Sequence, residues 1–288
     1  MKRLIYSIIT LSMLMFACNI ATTPAPATVP PPTVTVPAAV TDTVAAPTET
    51  QQVATDTPSG PQANVICNEL SLYLDPALAS GYECKTVDEA AGADMPAFAV
   101  NPQYTEVVLT GYALADRFMT PHIDIFPYDR FAQLLPDLVP QRKHDLLNLL
   151  LGTAPGISTL PLLPVFNAAQ EFYSNYLVLT SLNGAGIRYL TLYGQAFFPV
   201  NNHDDFYSFQ GMTSDAKYWI SAILPISNPI LPADGTNLPA GYTWDQVYAN
   251  PSPYFTDIVS QLNAQSADSF SPTLGMLDGL IASINIQP

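Results

Sequence analysis

Three histidines, three cysteines and one dense run of amides and acids are the side chains of this 288-residue chain most able to do chemistry. The run is Asn201-Asn202-His203-Asp204-Asp205, whose oxygens can gather around a hard cation such as calcium. It has neither the EF-hand spacing nor a distant bidentate Glu, and the same residues suit a polar turn whose side chains bond neighbouring backbone amides. His122 and Asp124 stand two apart in an alternating segment, which puts both on one face of a strand. His203 needs a partner at hydrogen-bond distance before it can act as an acid or base. Neither the cysteine spacing nor the scattered histidines make a four-ligand zinc set, and no metal or cofactor is expected.

Other catalytic signals are weak. Ser214-Asp215-Ala216-Lys217 matches the Ser-x-x-Lys of serine β-lactamases, whose Ser must open a helix, but here it falls between two alternating runs. The companion Ser-Asp-Asn and Lys-Thr-Gly motifs are absent, as are a Gly-x-Ser-x-Gly elbow, a phosphate-cradling glycine loop and a His-Glu-x-x-His pair. The charge also excludes partners: 24 acids against 9 bases give −15, with no basic patch for nucleic acid or anionic headgroups. Hydrophobic residues make up 48% of the chain, enough for a real core. The 28 prolines are about twice ordinary usage.

Those prolines concentrate near the N-terminus, behind an export signal. Lys2 and Arg3 form a positive start, and Leu4 to Phe16 supplies 13 largely apolar residues. That run is too short for a transmembrane helix, which needs about 20. Met15-Phe16-Ala17-Cys18 follows, and it resembles the lipobox of bacterial lipoproteins, where a small residue precedes a Cys that is diacylated and becomes the mature N-terminus. Ala17 and Cys18 fit; Met15 stands where Leu is usual and Phe16 where a small residue is usual. The alternative is an ordinary signal cut near Ala25-Pro26-Ala27, with Cys18 discarded. On the lipoprotein reading, residues 1–17 are removed and the charge falls from −15 to −17 as Lys2 and Arg3 leave. Acyl chains on Cys18 would then anchor the protein, each buried methylene contributing about 0.8 kcal/mol.

Residues 18–63 read as a stalk. From Ala21 to Gln62 the chain is Thr, Pro, Ala and Val with few acids, no aromatic and no basic residue, a composition without a core. Extended polyproline geometry at about 3.1 Å per residue would carry it on the order of 100 Å from a bilayer. Residues 64–288 form one extracytoplasmic domain. Cys67 and Cys84 lie early in it, and exported thiols meet an oxidising environment. With Cys18 assigned to lipid an even pair remains, so a Cys67–Cys84 disulfide is expected, against the alternative of two buried free thiols.

The rest of the domain mixes strands and helices. Tyr104 to Thr110 and His122 to Phe126 alternate as strands, while Asp129 to Leu135 and Arg142 to Leu151 carry helical spacing. Tyr176 to Leu182 and Ile187 to Tyr193 flank Asn183-Gly184, a dipeptide that favours positive φ at a hairpin turn. A second hairpin pairs Phe206 to Thr213 with Lys217 to Ile226, its aromatics Tyr207, Phe209, Tyr218 and Trp219 suited to packing or, on an exposed face, to sugar stacking. Ser252-Pro253 and Ser271-Pro272 mark two closing helices, each with a capping side chain ahead of proline. The expected fold is α+β: an antiparallel sheet of consecutive hairpins covered by helices, an α-β-α sandwich.

The Cys67 to Cys84 run, GAGIRYLTLYGQ, NNHDDFYSFQGMTSDAKYWISAILPI and the closing helix together resemble uncharacterised bacterial surface lipoproteins with a Thr/Pro stalk and one domain. The order of elements is also similar to the PsbP-type fold of extrinsic photosystem subunits, which implies docking and transfers no functional residue. The function expected is a lipid-anchored, non-catalytic binding or docking domain at the cell surface, with an envelope protein or glycan as partner. The alternatives are an extracytoplasmic hydrolase built around His122, His203 and nearby acids, and a structural envelope protein.

Overall fold

A computed structural model of the chain describes residues 61–153 and 159–287. The signal segment 1–17, Cys18 and the Thr/Pro tract as far as residue 60 lie outside the described residues.

In chain order the strands and helices are β1 (Val65–Cys67), β2 (Leu70–Leu72), β3 (Ala79–Val87), β4 (Tyr104–Tyr112), β5 (His122–Pro127), α1 (Tyr128–Leu134) and α2 (Val139–Leu150). There follow β6 (Ala169–Gln170), β7 (Ser174–Ser181), β8 (Gly184–Thr191), β9 (Tyr193–Gly194), β10 (Phe206–Thr213) and β11 (Tyr218–Pro225). The last are α3 (Trp244–Ala249), α4 (Ser252–Asn263), α5 (Leu274–Ala282) and β12 (Asn285–Ile286). Seven strands form one antiparallel sheet in the order β3-β4-β5-β11-β10-β8-β7, and β1-β2-β12 form a small one beside it. The fold is α+β, with hairpins β3–β4, β4–β5, β7–β8 and β10–β11 supplying the consecutive antiparallel pairs.

Alternation along the central strands feeds two cores. On one face, Ile123, Ile125, Tyr207, Phe209, Ile220 and Leu224 meet Tyr254, Ile258 and Leu262 of α4 and Leu277 and Ile281 of α5. On the other, Phe126, Tyr189 and Trp219 meet Phe131 of α1 and Val139 and Leu146 of α2. Helices therefore cover both faces of the sheet, and β10 is buried along its entire length. Tyr207, Phe209 and Trp219 are wholly inside, each contributing about 2–3 kcal/mol by leaving water, so these aromatics are packing residues.

Three local expectations differ from what is found. The β7–β8 turn is Leu182-Asn183, and neither Asn183 nor Gly184 has positive φ. Tertiary bonds hold it instead: Asn183 donates to the Ile286 carbonyl and accepts from the Ile286 amide at 3.0 Å, while its own carbonyl takes the Ser214 amide at 2.9 Å. Gly184 is needed for close approach, since a Cβ there would stand 2.5 Å from the Met212 carbonyl oxygen. Ser271 does not cap α5, because its backbone exchanges two hydrogen bonds with Ser227; Thr273 caps the helix through its hydroxyl, which accepts from the Met276 amide at 3.2 Å. Ser252 lies inside α4, and the Asn250 side chain accepts its amide at 3.2 Å.

Candidate functional site

Side chains of the polar run before β10 are engaged in local and loop-to-loop hydrogen bonds. Asn201 turns its side-chain oxygen on its own backbone, accepting from the His203 amide at 2.9 Å and the Asp204 amide at 3.1 Å. Asn202 donates to the Leu231 carbonyl at 3.0 Å and accepts from the Asn228 amide at 2.8 Å, which ties the loop to the segment after β11. His203 Nδ1 lies 2.9 Å from Asp204 Oδ1. Asp205 is buried, and desolvation pushes its carboxyl well above the ordinary range although the Phe206 and Thr191 amides face it. Among the described residues no group of three or more His, Cys, Asp or Glu is arranged to hold a metal ion.

A second polar group crosses the sheet. Register places Lys85, Glu106, Asp124, Ser221 and Gln210 opposite one another on β3, β4, β5, β11 and β10, all on the α1–α2 side. At its covered end the Gln210 amide is fully satisfied. Its oxygen accepts from the Leu163 amide at 3.0 Å and Trp219 Nε1 at 2.9 Å, and its nitrogen donates to Ser221 at 2.8 Å and Ser208 at 3.3 Å. Asp124 is only 3% exposed, and its Oδ1 has no hydrogen-bond partner. Burial raises its pKa from 3.8 to about 7; His122, with Nε2 3.6 Å from Oδ2, works against the rise, and Glu106 adds to it. His122 and Asp124 thus do share a face, as their spacing implies, with Nε2 of the one 3.6 Å from Oδ2 of the other. Ser221, the hydroxyl across the strand from Asp124, is engaged by Gln210.

The other sequence candidates are placed plainly. Ser214 sits in the β10–β11 turn and donates to the Asn183 carbonyl at 3.1 Å, while Lys217 pairs with Asp215 at 3.3 Å, so neither opens a helix. Cys67 and Cys84 stand at disulfide distance, S–S 1.97 Å, and tie β1 to β3.

The feature that sequence reasoning missed is a cavity of about 650 Å³ between α5 and the small sheet. Its walls come from both ends of the domain: Tyr73 and Asp75 just after β2, Leu182 of the β7–β8 turn, and Gly275, Met276 and Gly279 of α5. The frame is held by Ser283, whose hydroxyl accepts the Tyr73 amide at 2.9 Å and donates to the Leu280 carbonyl at 2.7 Å. Gly275 and Gly279 are four apart, on one side of a helix whose other side buries Leu274, Leu277 and Ile281. Glycine inside a helix costs roughly 1 kcal/mol relative to Ala, and usually a neighbour's close approach explains it. Among the described residues nothing lies within 4 Å of a Cβ built at either position, and neither has positive φ. Both glycines are exposed and border the open space of the cavity. The legible signal was a pair of glycines at i, i+4 within a strongly apolar helical pattern.

No protein-family model matches this chain, and no characterised protein or solved structure is similar to it.

Proposed function

We propose that the protein is a lipid-anchored, extracytoplasmic binding domain that takes an apolar small molecule into the cavity beside α5. The observation that carries the binding role is the cavity itself: about 650 Å³, mainly apolar, and bordered at α5 by two glycines that no neighbour among the described residues requires. That volume lies within the range of small-molecule sites, whose walls are mostly apolar with a few polar groups to orient the ligand. Pro61 and Ala63 also line it, so the site lies where the chain enters the domain from its N-terminal tract. The anchoring part rests on Cys18 and its preceding apolar run, and it is supported by the Cys67–Cys84 pair, whose chemistry belongs to an oxidising compartment.

Gly279→Leu tests the binding role. The new side chain projects into the open space and improves helix propensity, so the domain keeps its stability while the cavity loses volume. An environment-sensitive apolar dye should bind the parent protein in a saturable way and lose at least tenfold in affinity to the variant. Equal dye binding by the two proteins refutes the site.

A further inference from the structure

The charge around the cavity narrows the class of ligand. Among the described residues its lining carries one charged side chain, Asp75, and no Lys, Arg or His. Asp75 Oδ1 accepts the Ala77 amide at 2.8 Å, whereas Oδ2 takes part in no hydrogen bond or ion pair among the described residues. Tyr73, two residues earlier, also lines the cavity, and its hydroxyl has no hydrogen-bond partner among the described residues. An aromatic ring and a free carboxylate oxygen at one apolar site are the elements that recognise an organic cation, through charge pairing and attraction to the ring face. The whole chain adds to this, since −15 raises the local concentration of cations and repels anions.

We propose that the ligand is a cationic amphiphile, an apolar chain or ring system bearing an ammonium head that pairs with Asp75 while the apolar part fills the space along Gly275 and Gly279. This rests on the reading of the cavity as a binding site. It excludes fatty acids, alkyl phosphates and other anionic amphiphiles, for which the cavity offers no counter-charge.

The test is calorimetric titration of the full-length protein with three ligands of one chain length, all below their micellar or solubility limits: decylammonium, decanol and decyl sulfate. The cation should bind about tenfold tighter than the alcohol, the worth of one charge-assisted contact, and the sulfate should be the weakest. Asp75→Asn keeps the acceptor for the Ala77 amide and removes only the charge, so it should bring the cation down to the alcohol's affinity and leave the alcohol unchanged. Asp94→Asn, an exposed acid that does not line the cavity, controls for general acidity and should leave the preference intact. Sulfate binding as tight as the cation's overturns the ligand class while the cavity reading stands. So does a preference lost equally in both Asn variants. Failure of all three ligands to bind, or binding unaffected by Gly279→Leu, overturns the cavity reading and the ligand class with it.

Discussion

Replacing Asp124 with Asn should stabilise the protein, and by an amount that depends on pH in a defined direction. The carboxyl is buried in the sheet with one oxygen unpartnered, and its pKa rises from 3.8 to about 7 because burial penalises the charged form. The groups facing it are His122 on its own strand, Glu106 on β4 and Ser221 on β11; Lys85 on β3 reaches Glu106 at 4.0 Å. Below pH 4 the carboxyl is protonated in both folded and unfolded chains and has no linkage effect. Between pH 4 and 7 the unfolded chain releases the proton and the folded one retains it, so stability falls as pH rises. Above pH 7 the loss is complete. A shift of about three units at about 1.4 kcal/mol each puts it near 4 kcal/mol.

Asn keeps the shape and cannot ionise. Chemical denaturation of the two proteins from pH 4 to pH 8 should show the variant more stable at pH 8 by up to about 4 kcal/mol, a rise in Tm on the order of 10 °C for a domain of this size. The advantage should shrink on acidification and vanish near pH 4. Groups that titrate alike in both proteins cancel in the difference. His122→Gln in the parent should steepen the dependence, since the imidazole beside Oδ2 is what opposes the rise. A difference between Asn variant and parent that is flat across this range, or a variant less stable at pH 8, refutes the account of Asp124 as a carboxyl held neutral by burial.

Gln210→Leu should cost about 3 kcal/mol and lower the Tm by several degrees in calorimetry, because it strands the buried Trp219 indole N–H and the Leu163 amide together. Unchanged stability would mean that those donors find other acceptors. Peptide mapping of unreduced protein should recover the Cys67 and Cys84 peptides joined, and reduction should destabilise by about 3 kcal/mol, as expected for a closed loop of this size. Free thiols at both positions end that reading. Cys18→Ser should abolish metabolic labelling by palmitate, and labelling that persists in the variant removes the anchor.

Local pairing was legible and remote pairing was not. The β10–β11 hairpin could be read because its two strands lie side by side in the chain, with alternation on both sides of a four-residue turn. Alternation alone does not tell where the polar positions go: Ser208, Gln210 and Ser221 are all buried, on the side of the sheet that α1 and α2 cover. Nothing near them in sequence announces the Leu163 amide that Gln210 satisfies, forty-seven residues away. Asp124 is a similar case, since its spacing from His122 was visible but its burial depends on β4 and β11. The cavity is the extreme case. Its walls are residues 61–78, Leu182 and residues 275–285, brought together only when β12 pairs with β2 and Ser283 reaches Tyr73. One trace of it did lie in the sequence. Gly275 and Gly279 weaken a helix that folding alone would prefer to see strengthened, and the space beside them shows that packing is not the reason. A stabilising substitution that no contact among the described residues forbids and the sequence has not taken is what the proposed binding role of the cavity would explain.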